Sequence, residues 1–232
     1  MVVPPRPRAI LFGSIGTLAE TSYLQRSAFN TAFAEAGLLW DWSAQDYAGM
    51  LKMPGGEQRI ANFANAAGLE VDIHALHRRK TELFNQWVQA RGAAMRPGVS
   101  ELMSAAREKG VKVALVTTTS VENIDAVLNA TGLGREIFSF IGDVTMVQHR
   151  KPAADIYVHA LQSLGLDPCD AVAIEDTLAS LSSAAGAGIG SIAFYNQLAA
   201  DEPTDDAIEA VSDLSKSRIL NHLFESPRLA VA

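Results

Sequence analysis

The stretch ILFGSIGTLAETS, residues 10–22, contains the end of the first predicted strand of this 232-residue chain and the loop after it. An apolar run ends at Phe12 and a loop of small residues follows it, as at the end of a buried strand that delivers a catalytic loop. From Phe12 to Thr17, however, the loop contains no acid and no base, and its only nucleophiles are the hydroxyls of Ser14 and Thr17. The function of the loop therefore depends on what the rest of the chain places beside it.

Composition limits the class of protein. Hydrophobic residues make up 48% of the chain and charged residues 19%, which predicts a folded chain. The net charge of -7 argues against nucleic acid or an anionic membrane as the main partner, but it permits a local site for a small anion. A single cysteine, Cys169, excludes an intramolecular disulfide, and no apolar run approaches the roughly 18 residues of a membrane span. These features predict a cytoplasmic protein.

Two kinds of pattern divide the chain. Residues 20–94 contain only helical patterns, whereas strands and helices alternate from Arg96 onward. The predicted strands are residues 8–12, VKVALVT (111–117), IFSFIGD (137–143), AVAIED (171–176) and SIAFY (191–195). Among the predicted helices, one begins after Ser120 and another at Lys151. This alternation predicts an α/β fold with a parallel sheet flanked by helices, and the helical stretch is inserted after the first strand.

The ligand site of an open parallel sheet lies beyond the carboxyl ends of its strands. In this chain those ends carry Gly13 to Thr17, Thr117 to Ser120, Asp143 and the pair Glu175–Asp176. The predicted helix that begins at Lys151 should start close to them. We therefore expect the functional site at this edge of the sheet.

The strand ends and several longer stretches resemble the haloacid dehalogenase (HAD) superfamily of phosphohydrolases. Within it, the likeness is to the subgroup of CbbY-type sugar-bisphosphate phosphatases and β-phosphoglucomutase. The resemblance is carried by GTLAET, RSAFNTAFAEAGLLWDW, the PGG-x-x-RI turn, LVTTTSVENID, KPAADIYVHAL and AIED. It spans residues 8–213, and it implies a Rossmannoid core of residues 1–19 and 95–232 with a helical cap of residues 20–94.

In the family that the chain resembles, the first strand ends in Asp-x-Asp-Gly-Thr. The first aspartate is the nucleophile, and the second is the general acid and base. The first also binds Mg²⁺, together with a backbone carbonyl and acids after a later strand. Here Gly13 and Ile15 stand at the two aspartate positions. The resemblance therefore implies a phosphatase loop without its two reagents and with a weakened magnesium site.

The other family positions keep their residue types. Thr117, with the N–H of Thr118, matches the phosphate-binding motif, and Lys151 matches the lysine that pairs with phosphate. Glu175 and Asp176 match the magnesium acids. Each has a plainer alternative, namely a strand-end threonine, an exposed lysine, and an acid pair that Lys151 neutralises without metal. Without an aspartate at position 13, Lys151 should be available to an anion or to Asp176.

The inserted helices carry a further departure from the family pattern. Glu20 matches an acid just after the first motif, and Arg59 matches the arginine of the PGG-x-x-RI turn. Glu57 stands where the resemblance implies a lysine, so an anion replaces a cation where a substrate phosphate would dock. His74 and His77 lie on a polar helix face, which predicts solvated side chains.

A replacement nucleophile is not expected at Ser14, because alternation along an extended chain directs its hydroxyl away from the phosphate. Three hypotheses remain. The chain is a HAD-fold protein that has lost phosphatase chemistry and binds at most a phosphorylated metabolite or another anion; or it is an active but atypical phosphoester hydrolase; or it is a non-catalytic structural or regulatory module. Loss of a covalent nucleophile costs several powers of ten in rate, which favours the first and the third.

Overall fold

A computed structural model describes residues 6–51, 55–195 and 206–224. Its centre is a sheet of six parallel strands in the order β3-β2-β1-β4-β5-β6. The strands are β1 (Ala9–Phe12), β2 (Lys112–Val116), β3 (Phe140–Gly142), β4 (Ala171–Glu175), β5 (Gly190–Ala193) and β6 (Glu209–Ala210). The predicted parallel α/β sheet is confirmed, and the two-residue β6 is an addition that the sequence patterns did not indicate.

The helices flank and precede these strands in the expected order. They are α1 (Ile15–Leu18), α2 (Ser22–Glu35), α3 (Ala44–Met50), α4 (Gly56–Ala67), α5 (Ile73–Arg91), α6 (Val99–Glu108), α7 (Val121–Thr131), α8 (Asp155–Leu164), α9 (Leu178–Gly186) and α10 (Asn221–Phe224). Local chemistry sets several of these ends. The Ser120 hydroxyl caps α7 by accepting the Asn123 N–H, and Gly132 ends the helix in the left-handed conformation.

One predicted helix boundary is wrong. Helix α8 begins at Asp155 rather than at Lys151. The intervening residues form a turn, because the Ala153 N–H donates to the Arg150 carbonyl at 3.1 Å and the Asp155 carboxylate accepts the His149 N–H at 3.3 Å. The turn leaves Lys151 outside the helix, with its side chain directed to the edge of the sheet.

Strand β1 lies at the centre of the sheet and is buried along its whole length. It pairs with β2 on one side and β4 on the other, with Leu11 in register with Ala114 and Ala173. Both faces of the sheet are covered by apolar clusters, which is why the strands read as continuous apolar runs. The central position of β1 brings the loop after Phe12 between the ends of β2 and β4.

Helices α2 to α5 lie between β1 and β2 in the chain, and we call them the inserted helices. They enclose an apolar cluster of their own, in which the rings of Phe29 and Trp42 are 4.8 Å apart. The same helices also send Ala28 and Phe84 into the cluster beside the sheet. The division into a core and a cap at residues 20 and 94 stays a prediction.

None of the described helices is long and apolar enough to cross a lipid bilayer. The cytoplasmic location inferred from composition stays a prediction.

Candidate functional site

The carboxyl ends of the strands and the inserted helices enclose a cavity of about 670 Å³. Most of the residues singled out in the sequence line it, namely Gly13, Ile15, Thr117, Thr118, Lys151, Asp176 and Arg59. Two do not. Glu20 turns its carboxylate to the N–H of Ser22 at 3.1 Å, at the start of α2, and Glu175 is fully buried beneath the cavity floor. The expected edge of the sheet is therefore where these groups meet.

The Glu175 carboxylate occupies the space that a side chain at position 13 would need. A Cβ atom built on Gly13 would lie 2.0 Å from Glu175 Oε1 and 2.3 Å from Oε2, far inside van der Waals contact. Glycine is therefore the residue that fits position 13 in this arrangement. The space where a nucleophilic aspartate would begin is filled by a carboxylate from a different strand.

Lys151 and Tyr157 hold this carboxylate in place. Lys151 Nζ donates to Glu175 Oε1 at 2.6 Å and to the Gly13 carbonyl at 2.7 Å, and the Tyr157 hydroxyl donates to the same carboxylate oxygen. Burial raises the pKa of Glu175, and the Lys151 charge opposes that shift. The sequence left Lys151 available to an anion or to Asp176, with neutralisation of the acid pair as the plainer alternative. In the structure its partner is Glu175, the first acid of that pair.

Ser14 faces the cavity, and the prediction that it points away is wrong. Its hydroxyl donates to Asp176 Oδ1 at 3.0 Å and accepts the Thr17 N–H at 3.2 Å. Alternation fails here because the strand has ended and Ser14 is already the N-cap of α1. Burial raises the pKa of Asp176, whereas the Arg96 charge and the Ser14 hydrogen bond oppose that shift.

Thr117 and Thr118 form the wall at the end of β2. The Thr117 hydroxyl oxygen accepts the Thr119 N–H at 3.2 Å, and within the described residues its hydrogen has no acceptor. Helix α7 starts just beyond, so its free N–H groups and positive dipole end lie at the same edge. A hydroxyl hydrogen and helix N–H groups are donors suited to phosphate oxygens.

The inserted helices close the opposite wall. Arg59 Nε donates to the Met50 carbonyl at 3.1 Å, and the guanidinium lies 5.8 Å from the centre of the Tyr47 ring. Glu57, also on this wall, lies 2.9 Å from Nδ1 of the solvated His74. Arg59 is thereby fixed in the cavity with its charge unpaired by any carboxylate of the described chain.

His77 differs from the prediction. It lines the cavity with only 28% of its side chain exposed, because the backbone of α4 packs on its ring at Gly56. Burial lowers its pKa to about 4, so the imidazole is neutral at physiological pH. Only His74, whose side chain is 81% exposed, is solvated as predicted.

Lys80 also lines the cavity, although no sequence motif indicates it. It is 4% exposed, and its ammonium lies between the rings of Phe29 and Phe84, 4.8 and 5.2 Å from their centres. The signal was present in the sequence, because Lys80 stands four residues from both Leu76 and Phe84 on the apolar stripe of α5. Burial lowers its pKa to about 7.

Comparison with known proteins agrees with this geometry. A family model for haloacid dehalogenase-like hydrolases matches residues 7–188, and Protein CbbY of Rhodobacter capsulatus is 39% identical over 187 residues, which are 78% of this chain and 82% of that protein. The chain belongs to the haloacid dehalogenase-like hydrolase family. This confirms the resemblance inferred from the strand ends.

Solved structures confirm the HAD fold. CbbY from Rhodobacter sphaeroides in complex with phosphate has a TM-score of 0.83 and 37% identity, covering 90% of this chain and 96% of that one. A variant of that protein in complex with xylulose-1,5-bisphosphate has a TM-score of 0.81 over the same shares of the two chains, also at 37% identity. A β-phosphoglucomutase from Clostridium difficile shares the fold at 18% identity, with a TM-score of 0.76 and coverage of 94% and 99%.

HAD hydrolases generally use Mg²⁺, but the residues of this chain do not fit that ion. The Glu175 carboxylate is turned to Lys151, and one oxygen of Asp176 holds the Ser14 hydroxyl. Position 13 supplies no oxygen from a side chain, and the described residues contain no group of three acidic, histidine or cysteine side chains that could hold a metal.

The burial of Lys80 predicts a pH-dependent stability. The amine has a pKa of about 7 in the folded chain, below the ordinary 10.5, so the unfolded chain binds more protons between these values. Its cost to stability is greatest below pH 7 and disappears as the pH rises past 10.5. We expect Lys80→Met to raise the free energy of unfolding by up to about 5 kcal/mol at pH 6.5 and much less at pH 10.

Urea unfolding at the two pH values measures this effect. Lys216→Met is the matched control, because its side chain is 78% exposed and should change little at either pH. An equal effect of Lys80→Met at both pH values would contradict the prediction.

Proposed function

We propose that this chain is a HAD-fold protein that binds a phosphorylated small molecule in its cavity and does not hydrolyse it through an aspartyl-phosphate. The observation that carries the proposal is the Glu175 carboxylate, packed against Gly13 and paired with Lys151. The position of the covalent nucleophile has no side chain, and the space for one is filled. Glu175 itself does not line the cavity, so it cannot reach a bound phosphorus atom from there.

The second reagent is also replaced by a group that has no proton to transfer. Ile15 is 7% exposed and packs in the apolar cluster beside the sheet. A general acid both protonates the leaving group and later activates water, and its loss alone costs about 10² to 10⁴ in rate. Loss of both reagents leaves only positioning and electrostatics for catalysis.

The groups that would bind a phosphate, by contrast, are still present. Thr117 and Thr118 stand at the N-terminal end of α7, and Arg59 and Arg150 add positive charge to the cavity wall. The similar CbbY protein has been solved with phosphate and with xylulose-1,5-bisphosphate, which supports a phosphorylated ligand here. Affinity should be lower than with a free lysine, because Glu175 neutralises Lys151.

A phosphate titration tests the binding proposal. We expect inorganic phosphate and sugar phosphates to raise the melting temperature of the chain by a few degrees at millimolar concentration. Thr117→Ala should remove most of this shift, since it deletes the hydroxyl donor. Thr131→Ala is the control, because the Thr131 hydroxyl bonds to helix carbonyls at Val127 and Leu128 and does not line the cavity.

The outcomes of this titration are distinct. A shift that survives Thr117→Ala would place the anion elsewhere. No shift with any anion would reject the binding proposal and favour the structural or regulatory module.

A second function is favoured by one contact. The Ser14 hydroxyl donates to Asp176 Oδ1 at 3.0 Å, and both residues line the cavity. In this alternative, an atypical phosphoester hydrolase, the Ser14 oxygen bonds to phosphorus while Asp176 accepts its proton. The P–O bond to the alcohol breaks, the departing oxygen takes that proton, and water then releases phosphate from Ser14. Phosphatase activity that is lost in Ser14→Ala would establish it.

A further inference from the structure

Glu57 places a negative charge on the wall of the cavity that the inserted helices form. It lies in the first turn of α4 and lines the cavity. Its Oε1 is 2.9 Å from Nδ1 of His74 and 3.8 Å from Nδ1 of His77. His77 is neutral, and a pair with the exposed His74 is screened by water. No lysine or arginine of the described chain is within ion-pair distance of Glu57, so its charge is left to act on a ligand.

The backbone holds Glu57 at this place. A Cβ atom built on Gly56 would lie 2.5 Å from Nε2 of His77, so the start of α4 packs directly on α5. A carboxylate in the first turn of a helix is favoured by the positive end of the helix dipole. Glu57 therefore occupies the electrostatic position that the start of α4 would otherwise offer to an anionic group of the ligand.

Arg59 balances the charge of Glu57 but does not reverse it. Both side chains line the cavity from α4, so together they contribute no net charge. Arg59 Nε already donates to the Met50 carbonyl at 3.1 Å. A phosphate monoester carries about −1.5 to −2 charges at neutral pH, and a carboxylate repels such a group at short range. This end of the cavity is therefore a poor site for a phosphate.

The cations of α5 do not change this balance. The Lys80 ammonium donates to the Gln25 amide and lies between two aromatic rings, so it is enclosed in the wall. Arg78 is exposed to water. Glu82, four residues further along α5, is also exposed and lines the cavity, so an acid lies on the same face of the helix as Arg78.

Uncharged polar groups complete this end of the cavity. Ser22 of α2 and Thr81 and Asn85 of α5 line it, and Asn85 Oδ1 is buried without a hydrogen-bond donor among the described residues. Hydroxyl and amide groups can donate to and accept from the hydroxyls of a ligand. The strand ends instead offer the Thr117 hydroxyl and the free N–H groups of α7, which suit a phosphate. The two ends of the cavity thus favour different parts of one ligand.

We infer that the cavity takes a polyol with a single phosphate, and that Glu57 excludes a second phosphate. The single phosphate lies at the strand ends, and the hydroxyls lie against the inserted helices. This inference rests on the proposed function and narrows its ligand. It sets the chain apart from the similar CbbY protein, a variant of which has been solved with xylulose-1,5-bisphosphate.

Two sugars that differ by one phosphate test the inference on the full chain. The dissociation constants of fructose 6-phosphate and fructose 1,6-bisphosphate are measured by isothermal titration calorimetry at neutral pH. We expect the bisphosphate to bind at least about tenfold more weakly, because its second phosphate meets the Glu57 carboxylate. Glu57→Lys should reverse this order, and Glu57→Gln should bring the two constants within about threefold of each other.

Glu70→Lys is the matched control. It makes the same change in charge at an exposed position that does not line the cavity, so the preference for the monophosphate should remain. The comparison of the two sugars on the unsubstituted chain needs no variant, so it holds even where Glu57→Lys folds poorly.

The possible results separate the inference from the proposed function. A preference for the monophosphate that is lost in both Glu57 variants supports both. Bisphosphate binding as tight as monophosphate binding, or tighter, overturns the inference and leaves the proposed function standing. A preference that persists unchanged in both Glu57 variants overturns the role of Glu57. Binding of neither sugar and of no inorganic phosphate rejects the proposed function and the inference with it.

Discussion

With Mg²⁺ and p-nitrophenyl phosphate or sugar phosphates, this chain should show turnover at or near the uncatalysed background. A HAD hydrolase with both aspartates should have a rate at least about 10⁴-fold higher. The nucleophile contributes several powers of ten, and the general acid contributes about 10² to 10⁴. The structural reason is specific. Gly13 has no side chain that could attack phosphorus, and Ile15 packs in an apolar cluster. The carboxylate beside Gly13, that of Glu175, accepts a hydrogen bond from Lys151.

A steady-state assay with the Ser14→Ala and Lys151→Ala variants as references measures this prediction. Background rates in all three proteins would agree with it. A clear rate that Ser14→Ala abolishes would instead establish the serine alternative. A rate that survives Ser14→Ala but disappears in Lys151→Ala would show that the chain is an active phosphatase by a route in which Ser14 is not the nucleophile.

The second large effect is on the free energy of unfolding, and it concerns whether position 13 or position 175 carries the carboxylate beside Lys151. Glu175→Ala leaves the buried Lys151 without its counter-charge, and we expect it to lower the free energy of unfolding by about 3 to 5 kcal/mol. Gly13→Asp should also destabilise, by about 3 kcal/mol, because its Cβ meets the Glu175 carboxylate at 2.0 Å and a third buried acid is added.

The double variant Gly13→Asp with Glu175→Ala should lose less free energy of unfolding than the two single variants lose together. Its aspartate begins beside the carbonyl that Lys151 already contacts at 2.7 Å, and the space that Glu175 occupied is free. We expect a favourable coupling energy of about 2 kcal/mol or more in a double-mutant cycle followed by urea unfolding. Gly13→Ala is the control for the added Cβ without the charge. Additive losses would show that the two positions do not share one carboxylate space.

Magnesium adds a readout to the same series. Magnesium should raise the free energy of unfolding of Gly13→Asp, because this variant adds a third carboxylate beside Glu175 and Asp176. It should leave the stability of the unsubstituted chain unchanged. Equal stabilisation of both proteins would contradict the poor fit of the natural residues to the metal.

Much of the site could be predicted because it depends on strand ends. Parallel strands carry their carboxyl ends to one edge, so Thr117, Lys151 and Asp176 had to meet near Gly13 once the sheet was recognised. The loss of two carboxylates at positions 13 and 15 followed from the resemblance to the HAD family, in which those positions carry aspartates. Helix ends such as Ser120 and Gly132 followed from local capping chemistry.

Three features could not be predicted from the residues alone. Glu175 fills the space at Gly13, which follows the neighbouring strand β1 and is 162 positions away in the chain. Which side chain fills such a space depends on volume and charge in three dimensions. Ser14 faces the cavity because β1 ends at Phe12, so the alternation of side chains along a strand no longer sets its direction. Lys80 lies on the apolar stripe of α5, but its position between two rings also depends on Phe29 of α2, which the register of α5 does not reveal.

The amino-acid sequence alone was enough to predict the parallel sheet and the inserted helices, because hydrophobic periodicity is a local property. The absence of two reagents at positions 13 and 15 followed from the resemblance to the HAD family. The pairing of Lys151 with Glu175, the hydroxyl that faces Asp176 and the burial of Lys80 could be learned only from the folded chain. Those depend on space and counter-charge shared between segments that are distant in the chain, and packing settles them together.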